Sequence, residues 1–120
     1  MIVGLDHVQL AIPPQREEEA RAYYAGILGM TEVPKPESLR ARGGLWLRSG
    51  AIEIHLGVEK DFRPARKAHP AFRIDNIDAL ATRLETCGYQ PRWDDVIVGR
   101  RRFFADDPFG NRIEFIAVEA

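Results

Sequence analysis

Cysteine is almost absent from this 120-residue chain: Cys87 is the only one. One thiol closes no disulfide framework and builds no CxxC metal knuckle. It falls near the end of an expected helix with no histidine near it in sequence, so it reads as a small buried hydrophobe and not as a nucleophile. Long apolar runs are missing too, and none approaches the roughly 20 residues that cross a bilayer. Charge of one sign is also lacking. The 17 Lys and Arg against 18 Asp and Glu leave a net charge of −1, so no global field points to nucleic acid or an anionic membrane. The N-terminus has no basic start followed by an apolar stretch, as a signal peptide would, and reads straight into a strand. A cytoplasmic location is the default expectation.

What the chain does have is a repeat. Leu5-Asp6-His7-Val8 is followed, 46 residues after its histidine, by Ile52-Glu53-Ile54. Ala68-His69-Pro70-Ala71 is followed, 45 residues after its histidine, by Ile113-Glu114-Phe115. Self-similarity at half the chain length implies two copies of one structural unit. A repeat that carries two imidazoles and two carboxylates also implies a possible metal site.

Each copy reads strand, helix, strand, strand, strand. In the first, a strand over Gly4 to Ile12 stops at Pro13-Pro14. A helix follows from about Gln15 to Leu28, with Glu17, Glu18 and Glu19 in its first turn, where the helix dipole favours them, and Gly29 as its stop. Strands are expected over Ser38 to Arg42, Leu45 to Arg48 and Ala51 to Leu56. In the second copy, a strand runs Pro70 to Ile74. Asn76 caps a helix over Ile77 to Cys87, whose Ile77, Leu80, Ala81 and Leu84 share one face, and Gly88 ends it. Strands follow at about Trp93 to Val98, Arg101 to Ala105 and Arg112 to Val118, with a turn at Asp107-Pro108-Phe109-Gly110-Asn111. The fold class is therefore α+β. Residues 1–57 form module one and 69–120 module two of a single domain, joined by a basic, exposed linker over 58–68.

Alternation sharpens the site. Successive strand side chains point to opposite faces. Val8, Leu10 and Ile12 oppose His7, Gln9 and Ala11. Ile52, Ile54 and Leu56 oppose Ala51, Glu53 and His55. Pro70, Phe72 and Ile74 oppose His69, Ala71 and Arg73. Ile113, Phe115 and Ala117 oppose Arg112, Glu114 and Ile116. One face is greasy, and the other mixes ionisable groups with apolar ones, which suits a concave pocket. Trp46, Arg48, Arg102 and Phe104 read as walls of the same cavity. Arg48, Arg73 and Arg102 suit a ligand carboxylate or phosphate.

These segments resemble the vicinal oxygen chelate superfamily, which includes glyoxalase I, bleomycin-resistance proteins, extradiol dioxygenases, methylmalonyl-CoA epimerase and fosfomycin-resistance enzymes. The resemblance covers essentially the whole chain. It rests on Leu5-Asp6-His7-Val8, on Tyr23-Tyr24 through Leu28-Gly29-Met30, on His69-Pro70-Ala71-Phe72-Arg73-Ile74 and, most specifically, on Asp107 through Phe115. It implies two βαβββ modules in tandem, forming a curved mixed sheet around a cavity with helices on the outer face, and a homodimer. It places His7, Glu53, His69 and Glu114 on the family's ligand positions for a divalent ion (Zn, Ni, Co, Mn or Fe). His55, two residues on and on the same face, rivals Glu53, and the internal repeat favours Glu53. Such an ion acts as a Lewis acid toward two adjacent substrate oxygens, with Glu114 or Glu53 as general base.

Three functions fit this pattern. The first is a glyoxalase-like metal-dependent lyase or isomerase acting on a small oxygen-chelating substrate through an enolate-type intermediate. The second is a non-catalytic ligand- or antibiotic-binding protein of the bleomycin-resistance type, with affinity carried by Trp46, Trp93, Phe104 and the arginines. The third is a dioxygenase using His7, His69 and Glu114 and leaving Glu53 spare. No residue set clearly marks a glutathione site.

Overall fold

In the computed structural model, which describes residues 1–118, the chain divides into two units, residues 1–64 and residues from 65 onward. The first unit contains β1 (Val8–Ile12), α1 (Glu17–Arg21), β2 (Thr31–Val33), β3 (Leu45–Ser49) and β4 (Ile52–Val58). The second contains β5 (Ala71–Ile74), α2 (Ile77–Thr86), β6 (Arg92–Asp94), β7 (Arg102–Asp106) and β8 (Arg112–Ala117). The two sheets have the same topology: β1-β4-β3-β2 in one and β5-β8-β7-β6 in the other. In each, the first strand pairs parallel with the last and the remaining pairs are antiparallel. The duplicated sequence is thus a duplicated βαβββ unit in an α+β fold. No helix among the described residues is long and apolar enough to cross a membrane.

The element that carries each glutamate is a central strand. β4 lies between β1 and β3, and β8 between β5 and β7. A central strand is hydrogen-bonded along both edges, and here parts of both faces are buried as well. Ile54 and Leu56 are inaccessible on one side of β4 and His55 on the other; Ile113 and Phe115 on one side of β8, Glu114 and Ile116 on the other. The face that alternation marks as polar is therefore withdrawn from water at His55 on β4 and at Glu114 and Ile116 on β8.

Several expectations need correction. The strand expected at about Trp93 to Val98 is Arg92–Asp94, and the first strand starts at Val8, not Gly4. Ser38 to Arg42 is not a strand. Glu37–Arg42 is a 3-10 helix, and β2 is the earlier segment Thr31–Val33. The first helix is α-helical only to Arg21, then widens into a π-helix over Ala22–Ile27. The wider turn seats two successive tyrosines, Tyr23 and Tyr24, both fully buried and edge-to-face at 5.0 Å. Cys87 is exposed, not buried. It caps the C-terminus of α2, where the chain leaves the helical path, and so it departs from the buried stripe of Ile77, Leu80, Ala81 and Leu84. The other helix punctuation agrees with the sequence: the Asn76 side chain accepts from Ala79 N–H at 3.2 Å.

The turn before β8 is a closed hydrogen-bond network. The buried Asp107 carboxylate accepts from the backbone N–H of Phe109 and Asn111, both at 2.9 Å, and from Asn111 Nδ2 at 3.0 Å. The Asn111 Oδ1 accepts from Ala65 N–H at 2.9 Å, tying the start of the unit to its last strand. Asn111→Ala removes two of these bonds and leaves a backbone donor unmet, at a cost of about 3 kcal/mol. Urea unfolding measures it, and a loss under about 1 kcal/mol would show that water replaces the amide.

Candidate functional site

Each unit places its histidine at the edge of the sheet and its glutamate on the neighbouring central strand. In the second unit His69 enters β5, and Ala71 pairs in register with Glu114 on β8. His69 Nε2 lies 2.9 Å from Glu114 Oε1, and its Nδ1 lies 2.8 Å from the Lys67 carbonyl. A carbonyl only accepts, so Nδ1 carries a proton, and Nε2 faces the carboxylate with either a proton or a cation between them. The other Glu114 oxygen accepts from Arg102 at 3.0 Å, and Arg102 also donates to Asp94 at 3.2 Å. Burial pushes the Glu114 carboxyl up, but the hydrogen bonds from His69 and Arg102 outweigh it and hold the group below its ordinary value. Phe104, opposite Glu114 in the β7–β8 register, closes the site. Its ring meets His69 edge-on at 5.5 Å and lies under the guanidinium groups of Arg102 and Arg112 at 5.2 and 5.4 Å.

In the first unit the same positions carry a different network. His7 precedes β1, half-exposed, with Nδ1 2.9 Å from the Asp6 carboxylate. Glu53 accepts from Arg48 at 2.9 Å and from His55 Nε2 at 2.7 Å. Those two bonds, His55 first, hold the Glu53 carboxyl below its ordinary value. The His55 ring stacks on His7 with centroids 3.8 Å apart and on Trp46 at 3.9 Å. Gln9 and Trp46 are its cross-strand neighbours.

Of the sequence-derived site residues, His7, Trp46, Arg48, Glu53 and His55 gather on one face of the first sheet, and His69, Arg102, Phe104 and Glu114 on one face of the second. Arg73 is exposed at the sheet edge, opposite Ile116 rather than Glu114. Trp93, expected to carry ligand affinity in the sequestering reading, lies away from these residues. It pairs with Phe103 and packs against that ring at 5.0 Å, on the face opposite Glu114. Sequence reasoning missed Asp94, Asp6 and the Lys67 carbonyl. Asp6 and Lys67 lie one and two residues before the histidines they anchor. Asp94 meets Arg102 only through the β6–β7 register.

The His69–Glu114 pair fits a divalent ion in donor chemistry and in spacing. Adjacent ligands on an octahedral ion with bonds near 2.1 Å lie about 3 Å apart; His69 Nε2 and Glu114 Oε1 are 2.9 Å apart. Both His7 and His69 have Nδ1 anchored to an oxygen, the outer-shell arrangement that leaves Nε2 to bind metal. The second unit brings its histidine and glutamate together, whereas in the first His7 bonds Asp6 and Glu53 bonds His55; within neither unit, among the described residues, do three His, Cys, Asp or Glu side chains group as a complete site.

Comparison with known proteins agrees with this architecture. A protein from Bacillus anthracis described as of the glyoxalase family is 49% identical, with a TM-score of 0.95 over 99% of this chain and 98% of that one. A variant of the fosfomycin resistance protein FosX from Listeria monocytogenes, complexed with Mn(II) and 1S,2S-dihydroxypropylphosphonic acid, has a TM-score of 0.81 at 20% identity, covering 98% of this chain and 93% of that one. A glyoxalase/dioxygenase from Nostoc punctiforme has a TM-score of 0.75 at 21% identity, covering 93% and 90%. The last two likenesses speak for the fold alone. No curated protein matches the chain. The model of the Glyoxalase/Bleomycin resistance protein/Dioxygenase superfamily matches residues 4–115. With its duplicated βαβββ unit and that match over nearly its full length, the chain belongs to this superfamily.

Proposed function

We propose that the protein is a glyoxalase-like, metal-dependent lyase or isomerase acting on a small substrate with two adjacent oxygens. The observation that carries this reading is the His69–Glu114 pair at 2.9 Å, with Nδ1 of His69 already committed to a carbonyl. His7 and Glu53 of the first unit and His69 and Glu114 of the second are the residues that would serve as ligands to a divalent ion. A bound divalent ion supplies Lewis-acid polarisation of the substrate oxygens. The chain's own residues do the rest. A glutamate that releases its histidine takes a proton from the carbon beside those oxygens and returns it elsewhere, as general base and then acid. Phe104 packs against His69 and Trp46 against His55, each within its own unit, and Arg48 and Arg102 hold the glutamates in orientation. Mn(II) and a phosphonate diol in the complex of the related FosX support an oxygen-chelating ligand.

A second reading has its own observation. Both glutamates are already neutralised by arginines, Arg48 at 2.9 Å and Arg102 at 3.0 Å. That pairing suits a cavity that sequesters a ligand without metal or turnover. Metal analysis of protein purified without added metal or chelator separates the two. The catalytic reading expects about one ion per complete His/Glu set, lost in His7→Ala and His69→Ala. Metal-free wild-type protein that still binds an aromatic or anionic ligand would favour sequestration.

A further inference from the structure

The two units differ in how each holds its glutamate, and the difference assigns a role to His55. Ile52-Glu53-Ile54-His55 aligns with Ile113-Glu114-Phe115-Ile116. In the second unit Glu114 receives its hydrogen bond from His69, the histidine before the first strand of that unit. In the first unit the equivalent histidine, His7, bonds Asp6, and Glu53 is held by His55 at 2.7 Å. His55 is also the middle layer of a three-ring stack, 3.8 Å from His7 and 3.9 Å from Trp46, with interplanar angles of 17° and 4°. It is buried, whereas His7 is half-exposed.

Stacked imidazoles cannot share an ion. Nitrogen lone pairs lie in the ring plane, and two nearly parallel planes about 3.8 Å apart send them in nearly parallel directions. An ion about 2.1 Å from one nitrogen in its plane is out of reach of the other. If His7 is a ligand, His55 in this pose is not. We propose that His55 is a positioning residue for both first-unit ligands: its ring face fixes the plane of His7, its Nε2–H fixes Glu53, and Trp46 backs it from the other side. The second unit needs no such residue because His69 reaches Glu114 directly, and Ile116 fills the place. This inference rests on the metal-binding reading above.

The test uses full-length protein, Co(II) as the probe, and three variants that separate the two contacts. His55→Phe keeps a flat ring between His7 and Trp46 but loses the bond to Glu53. His55→Gln keeps a donor for Glu53 but loses the stack. His55→Ala loses both. An outer-shell role predicts that His55→Ala weakens Co(II) binding about 10–100-fold and that Phe and Gln each recover part of the loss. It also predicts that all three give the wild-type Co(II) absorption spectrum at saturation, whereas His7→Ala does not. In the metal-free protein, proton NMR should show the His7 ring signals moved upfield by stacking in the wild type and in His55→Phe, and not in His55→Ala. A changed Co(II) spectrum in saturated His55→Phe would make His55 a ligand and overturn the proposal, as would an unchanged Kd in His55→Ala or unshifted His7 signals in the wild type. Wild-type protein that takes up no Co(II) overturns the metal-binding reading itself and this role with it, an outcome distinct from the others.

Discussion

Glu114→Gln is expected to weaken divalent-metal binding by more than the roughly 100-fold upper range of outer-shell changes, and to cost about 2 kcal/mol of stability at neutral pH. The two effects share a cause. Glu114 is buried on a central strand, and each of its oxygens holds one positive or proton-bearing partner, His69 and Arg102. A neutral amide keeps the volume but offers one acceptor where there were two, and it turns an N–H toward one of the two donors. Arg102 is not left entirely without a counter-charge, because Asp94 still accepts from it at 3.2 Å; the loss therefore stays below the 3–5 kcal/mol typical of a fully orphaned buried ion. The pH dependence gives a second readout. The folded-state Glu114 carboxyl sits below its ordinary value of 4.5. Its stabilising contribution is thus fully present above that value and is lost as pH falls through the lower folded value. Wild-type stability should lose that part on acidification, and Glu114→Gln should not. Urea denaturation at neutral pH and below pH 4.5, beside a metal titration, measures all of this. Wild-type metal affinity in the variant would remove Glu114 from the ligand set.

The residues legible in the sequence were those whose identity conflicts with their surroundings. Glu53 stands between Ile52 and Ile54, and the buried Glu114 between Ile113 and Phe115, apolar surroundings in which a carboxylate is costly without partners. That conflict, repeated at one spacing, located both networks. Contacts that depend on register were not legible. Arg102 meets Asp94 because the β6–β7 loop sets Asp94 opposite Arg102, and nothing local in Asp95 to Arg101 fixes that pairing. Arg73 shares the polar face of β5 by alternation, yet β5 is an edge strand and the side chain stays in solvent. The segment Glu37–Arg42 misled for a related reason. Leu39 and Ala41 alternate with polar residues as in a strand, but six residues without a partner strand curl as readily into a 3-10 helix. Thr31–Val33, the true β2, is too short for alternation to show.

Gly44→Ala should be among the most damaging single-methyl changes in the chain, destabilising it by about 3 kcal/mol or more and weakening the first-unit site with it. Gly44 has φ +85°, and a Cβ added there would stand 2.0 Å from the Leu56 carbonyl oxygen. The left-handed conformation alone costs an alanine about 1 kcal/mol. The collision adds the rest, because the obstacle is backbone on a central strand, not the end of a flexible side chain. Leu45 pairs with Leu56, so relief requires parting β3 from β4 where their ladder begins. Trp46 and His55 are the next pair along that ladder. Displacing β3 therefore pulls Trp46 from the His55 ring and loosens the support of His7 and Glu53. Gly50→Ala is the matched control: its φ of +58° carries a similar backbone penalty, but no atom lies within 4 Å of the new methyl. Thermal and urea unfolding of the two variants should differ by about 2 kcal/mol, with Co(II) affinity reduced only in Gly44→Ala. Equal stabilities would mean that the strands yield without cost and that the close approach at Gly44 does not hold the site together.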